Sequence, residues 1–378
     1  MSAERDAVNM GNKAKTVVIK LGTSMLTSGT RYLDSSRMIE LVRAVKALRD
    51  AGHQVLVVSS GAIAAGREAL GFPDVPRTVA HKQMLASVGQ TSLMMRWQQL
   101  FAIYRISVGQ VLLTQADLEE RERFLNARDA LEAIVGQHIV PIVNENDAVA
   151  TREIKFGDND NLSARVAVLA DADMLILLTD QQGLFTADPR SCPDAKLIRE
   201  VREITPEIHA LAGDSKSGLG TGGMSTKIQA AEIAIRSGIE VIIASGDNPA
   251  LIPDLVAGKG DCTRFCPETT PLEARKAWIL AGQKPDGVIT VDAGAENALR
   301  NRGASLLPSG ITAVSGEFMR GADVIIAAGD GREIARGLSR YDSRALDRIK
   351  RHGSDEIEGI LGYENGSVAV HRDDMVLM

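Results

Sequence analysis

Cysteine is scarce in this chain, and so are aromatic side chains, long apolar runs and any surplus of positive charge. The three cysteines, Cys192, Cys262 and Cys266, are too few and of the wrong parity for a disulfide framework. Cys262 and Cys266 lie close together, yet no histidine or further cysteine nearby completes a zinc site. Reduced thiols in a cytoplasmic protein are the expectation. The longest apolar runs are strand-sized, so no helical membrane span and no membrane partner are expected. The first fifteen residues, MSAERDAVNMGNKAK, are polar and of mixed charge, unlike a secretory signal. A formal net charge of −6 argues against nucleic acid as the main ligand of the whole chain. With aromatics at 3%, the core must be built mainly from Val, Ile, Leu, Ala and Met.

What the chain does have is length, glycine and short β-branched runs. Its 378 residues predict two domains rather than one. From Lys15 to about residue 266, strand-like runs such as VVI, VLVV, IVPIV and LILL alternate with helical patterns. Runs of such continuous apolar character are strands covered on both faces, and strand–helix alternation means a mainly parallel sheet between helices. The helix DSSRMIELVRAVKALRDAG opens on the capping Asp34 and closes on Gly52. Residues 267–285 contain three prolines and read as a linker. Residues 286–378 carry short alternating runs (GVITV, ITAVSG, DVIIAAG, EIARGLS), a helix at SRALDRIKRH and a short strand at SVAVHR. They predict a small antiparallel β barrel or sandwich. Residues 1–14 are expected to be a disordered extension.

In an open parallel sheet, ligands bind beyond the C-terminal strand ends. Five such junctions, KLGTS (20–24), SSGA (59–62), NENDAV (144–149), LLTDQQG (177–183) and SGLGTGGMSTK (217–227), are rich in glycine, hydroxyl, amide or acidic groups. One would be turn chemistry; five suggest a shared site on one edge of the sheet.

SGLGTGGMSTK satisfies G-x-G-x-x-G through Gly218, Gly220 and Gly223, but no strand precedes it, so the dinucleotide reading fails on context. The Walker loop fails as well, because Met224, Ser225 and Thr226 separate the last glycine from Lys227. What remains is a glycine loop feeding a helix whose first turn suits an anion, with Lys227 adding a point charge; the plain alternative is a mobile loop with a solvated lysine. Lys20, at the end of a buried strand, is costly without a counter-charge, and its pairing with Lys227 favours two cations on one phosphoryl group. KFGDNDN, with Asp158 and Asp160 flanking Asn159, can coordinate a cation, orient those lysines or simply cap a helix.

Taken in order, KLGTS, SSGAIAAG, NENDAV, GDNDNLSA, LLTDQQGLFTADPR and SGLGTGGMSTK resemble the amino acid kinase family, in its branch acting on free glutamate. The C-terminal ITVDAGAENAL, GASLLPSGI and GREIARGLSRYDS are similar to the PUA domain appended to bacterial members of that branch. The resemblance covers essentially everything after the first dozen residues. It implies an α/β fold: an αβα sandwich with a mainly parallel central sheet (15–266) and a small C-terminal β-rich PUA barrel (286–378). It implies ATP and Mg2+ as cofactors, with no metal ligands named on the chain itself. The reaction implied is phosphorylation of the L-glutamate γ-carboxylate to γ-glutamyl phosphate, the first step of proline biosynthesis, under feedback inhibition by proline.

Carried over position by position, Lys20 and Lys227 stabilise the transferring phosphoryl group, and Asp160 holds the two lysines. Ser60, Asp147 and Asn159 bind glutamate. Lys20, Thr179 and Asp180, with Thr221, Gly222, Gly223, Met224, Ser225, Thr226 and Lys227, bind ATP. A homo-oligomer, dimer or tetramer, and channelling to glutamate-5-phosphate reductase are the implied partners. Related kinases act on acetylglutamate, aspartate, carbamate and UMP; NENDAV and GDNDN point to free glutamate. PUA domains elsewhere bind RNA, but residues 286–378 hold 11 Lys and Arg against 15 Asp and Glu, which opposes that use without excluding a local patch. Arg332, Arg336, Arg340 and Arg344 are expected to be solvated on a strand edge and turn.

Overall fold

TVVIKL, the first strand, is buried at every residue but the first, the signature of a strand covered on both faces. In the computed structural model, which describes residues 14–150, 159–212, 223–281 and 285–378, the chain forms two compact units. The first takes residues up to Leu118 together with Ala127–Pro271; the second takes Glu119–Asn126 with Leu272–Met378.

Among the described residues of the first unit, eight strands form one sheet: β1 (Thr16–Leu21), β2 (Gln54–Ser59), β3 (Val108–Leu113), β4 (Val140–Glu145), β5 (Met174–Thr179), β6 (Glu200–Val201), β7 (Glu240–Ser245) and β8 (Thr263–Phe265). The order is β3-β4-β2-β1-β5-β7-β8-β6, and every pair is parallel except β7 with β8. Helices return the chain between the parallel strands: α1 (Ser35–Asp50), α2 (Ala62–Ala69), α3 (Val79–Ala102), α4 (Asn159–Leu169) and α5 (Met224–Arg236). Asp34 caps α1 by accepting from the backbone N–H groups of Ser36 and Arg37, and Gly52 turns the chain out of it at φ 90°.

The register determines which residues share the sheet's rim. Leu21 of β1 faces Ser59 of β2, Val58 faces Val143 of β4, Lys20 faces Leu177 of β5, and Thr179 faces Ser245 of β7. The ends of β4, β2, β1, β5 and β7 therefore line one edge in that order. Close helix packing adjusts this edge. A Cβ on Gly89 of α3 would lie 1.8 Å from the Ala62 carbonyl oxygen, and one on Gly66 of α2 would lie 1.9 Å from that of Leu85. Only glycine lets these two backbones approach so closely.

In the second unit, strands β9 (Gly287–Val291), β10 (Ile311–Ser315), β11 (Asp323–Ala327), β12 (Glu333–Leu338) and β13 (Met375–Leu377) form a sheet ordered β10-β9-β11-β12-β13. The expected antiparallel pattern needs correction at one place, because β9 and β11 are parallel. The short strand expected at SVAVHR is also displaced. Val370 makes only an isolated bridge with Leu306, and the edge strand is β13. Within the stretch read as linker, Pro271–Ala281 is a helix, α6.

The arginines expected to be solvated divide into two kinds. Arg344 is exposed, at 3.7 Å from an equally exposed Glu317. Arg336, by contrast, is buried and grips Asp323 with Nε at 2.8 and 2.9 Å from its two carboxylate oxygens. The Arg340 side chain is largely covered and approaches the buried Asp374 at 3.8 Å, with Arg275 at 3.5 Å from the same carboxylate. Arg336 was expected in solvent on a strand edge; it instead faces a buried acid on the adjacent strand β11. Tyr341, fully buried, completes this core by donating its hydroxyl to the Gly366 carbonyl at 2.6 Å.

Candidate active site

Lys20 and Lys227, separated by most of the first unit's sequence, meet on one carboxylate. Lys20 Nζ lies 2.5 Å from Asp160 Oδ1, and Lys227 Nζ lies 3.0 Å from Asp160 Oδ2. All three side chains are buried. Lys20 is the penultimate residue of β1, Asp160 sits in the first turn of α4, and Lys227 sits in the first turn of α5. Thr226 adds its hydroxyl, 2.8 Å from Asp160 Oδ2 and 2.8 Å from the Gly223 carbonyl. Burial alone would raise the Asp160 carboxyl. The charges of Lys20 and then Lys227 outweigh it, and the group is held down at about 2. The stability this carboxylate contributes is thus complete above its ordinary range near pH 4 and lost as pH falls toward about 2. Two ammonium groups thus share one carboxylate at the rim.

Beside it runs a chain of buried amides. Asn159 Nδ2 donates to Asn144 Oδ1 at 2.8 Å, and Asn144 Nδ2 donates to Gln90 Oε1 at 2.9 Å. Asn144 Oδ1 also accepts from the Glu145 backbone N–H at 2.9 Å, which fixes the amide's orientation. Asn159 was expected at the site; Asn144 and Gln90 were not. The glycine crossing of α2 and α3 brings the segment that holds Gln90 into place.

Asp147 lies on the turn after β4, half-buried. Desolvation pushes its carboxyl up to about 6, with Lys82 acting in the opposite sense. The turn is tied to α3 through Gln83 Nε2, which donates to the Ala150 carbonyl at 3.1 Å. Ser60, half-buried, is held by its backbone N–H on the Leu21 carbonyl at 3.0 Å, and the following Gly61 adopts φ 104° to begin α2.

On the other side of β1, Thr179 ends β5 and donates its hydroxyl to Asp180 Oδ1 at 3.0 Å. Gly223 precedes α5 in an extended conformation without a side-chain cap, and Met224, Ser225 and Thr226 open the helix. Those first-turn N–H groups are donors suited to an anion. Thr221, Gly222 and Asp158 lie outside the described residues. Among the described residues, no group of three His, Cys, Asp or Glu side chains could hold a metal ion, and no helix is long and apolar enough to cross a membrane.

Residues 15–245 match the amino acid kinase family and residues 287–361 match the PUA domain. The chain is 59% identical over 366 residues to a glutamate 5-kinase of Sodalis glossinidius (strain morsitans), covering 97% of this chain and 100% of that one. It is 59% identical over 363 residues to a glutamate 5-kinase of Salmonella arizonae, covering 96% and 99%. Among solved structures, a carbamate kinase from Giardia lamblia bound to AMP-PNP aligns with 68% of this chain and all of its own, at 20% identity and a TM-score of 0.47. A buried lysine pair at the end of a parallel sheet, the matched domains and the near-complete alignments lead to one conclusion: the chain belongs to the amino acid kinase family, among its glutamate 5-kinase members with a C-terminal PUA domain.

Proposed function

We propose that the rim site transfers the terminal phosphoryl group of MgATP to the γ-carboxylate of L-glutamate, giving γ-glutamyl phosphate and ADP. The observation that carries this reading is the meeting of Lys20 and Lys227 on Asp160. A phosphoryl group in flight spreads negative charge over its oxygens, and two preorganised ammonium groups with helix-terminal N–H donors meet that charge. The acceptor is already ionised at neutral pH and needs no general base. Asp160, held at about 2 and occupied by both lysines, serves as their positioning group rather than as a base.

Acceptor binding falls to the other half of the rim. A half-buried carboxylate with a raised proton affinity, Asp147, is suited to receive the substrate's ammonium group. Asn159, oriented by Asn144 and Gln90, and Ser60 at the head of α2 supply neutral hydrogen-bonding partners for the acceptor. Thr179, Asp180 and the loop Thr221–Lys227 take the nucleotide, with magnesium arriving on its phosphates. In this reading the product feeds proline biosynthesis, and proline inhibits at a site overlapping or coupled to that for glutamate.

An ATP-consumption assay with glutamate, aspartate and acetylglutamate, with and without proline, tests the reading. Turnover with glutamate, and its suppression by proline, are expected. Turnover with acetylglutamate but not glutamate would overturn the substrate assignment.

A further inference from the structure

The connection between α2 and α3 builds a feature that the rim site does not use. Together with the facing ends of those helices it encloses a pocket of about 330 Å³. Three cationic side chains line it, Arg67, Arg77 and Lys82, against one acid, Asp74. Among the described residues, neither the Arg67 nor the Arg77 guanidinium has an ion-pair or hydrogen-bond partner, and Asp74 is exposed. Arg67 is half-buried, so its charge is partly withdrawn from water without a counter-ion. Such an arrangement costs free energy unless an anion occupies it. Val75 and Leu85 give the same pocket an apolar wall. Its volume lies at the lower end of small-molecule sites, more than a bare phosphate ion needs.

We propose that this pocket binds a small aliphatic dicarboxylate, its carboxylates on Arg67 and Arg77 and its methylene body against Val75 and Leu85. Planar guanidinium groups suit carboxylates because each can donate two parallel hydrogen bonds. The site is separate from the Lys20–Asp160–Lys227 cluster and shares no residue with it. It adjoins the acceptor side of the rim at the start of α3, where Lys82 acts on Asp147 and Gln83 holds the Asp147 turn.

The test is chemical protection in the full-length chain. Phenylglyoxal modification of individual arginines is followed by peptide mass spectrometry, with glutarate as the probe and Arg344, 88% exposed in a separate unit, as the internal reference. Saturating glutarate should slow modification at Arg67 and Arg77 by about tenfold or more while Arg344 reacts at its original rate. In Arg77→Gln, the glutarate concentration that half-protects Arg67 should rise about tenfold. Glutamate is run in parallel: equal protection makes the amino acid itself an occupant, and weaker protection favours a dianion lacking the ammonium group. Unchanged rates at both arginines under saturating glutarate, or protection by inorganic phosphate and not by glutarate, would contradict the proposal. The readout requires neither ATP nor turnover, so its failure is distinguishable from failure of the kinase reading.

Discussion

Two of the buried ion clusters, Arg336–Asp323 in the second unit and Lys20–Asp160–Lys227 in the first, put charged groups to different ends. In the second unit Arg336 matches one guanidinium to one carboxylate, Asp323, across neighbouring strands, and the pair is closed by several short contacts. In the first unit one carboxylate, Asp160, is shared by two lysines where strand ends meet helix N-termini. A carboxylate gripped by one guanidinium across two strands ties those strands together; a carboxylate that gathers two lysines at a strand end holds both ammonium groups where a phosphate can meet them. Removing a member of each cluster should therefore damage different properties.

The largest effect is expected at Lys227→Ala. Loss of an oriented donor of this kind costs about 2.7–4 kcal/mol of transition-state stabilisation, so kcat should fall about a hundredfold or more while the melting temperature changes little. Steady-state kinetics beside a thermal melt checks both halves. Next comes the mirror experiment. Arg336→Ala leaves the Asp323 carboxylate buried without its guanidinium and should destabilise the second unit by about 3 kcal/mol, read by denaturant unfolding. Phosphoryl transfer per folded molecule should be unchanged; a matching loss of kcat would erase the contrast between the clusters.

The rim itself can be divided in the same way, because its two aspartates are driven in opposite directions. Asp160 is held at about 2 by the lysines, whereas Asp147 is pushed up to about 6 by desolvation. Asp147→Ala should raise the glutamate KM far more than the ATP KM; equal changes would indicate a general structural role. A smaller effect follows from titration. As pH falls through about 6, Asp147 takes up a proton and loses its attraction for the substrate ammonium, so the glutamate KM should rise. The ATP KM should stay flat over that range, and Asp147→Asn should abolish the trend.

Sequence reasoning reached the parts of this arrangement that carry a local cost. A lysine ending a buried strand is expensive without a partner, and that cost at Lys20 favoured pairing it with Lys227, which on its own could have been a solvated lysine after a glycine loop. Asn144 and Gln90 stayed hidden because an amide inside a strand or helix has no such local signature. Its meaning depends on which neighbour the register supplies, here Asn159. Gly66 and Gly89 have no mark in the sequence of their purpose, which is a contact between two backbones. Arg336 was misplaced for a related reason. An arginine on a strand edge looks solvated in sequence, but its burial depends on Asp323, which lies on a different strand.

The central claim is that the Lys20–Asp160–Lys227 cluster receives the terminal phosphate of the nucleotide. A crystal structure of the full-length chain with a non-hydrolysable ATP analogue, magnesium and glutamate tests it most directly. The account predicts both Nζ atoms at about 2.7–2.9 Å from γ-phosphate oxygens, with the glutamate γ-carboxylate in line on the opposite side. A γ-phosphate bound away from both lysines, with the cluster still closed on Asp160 alone, would contradict it.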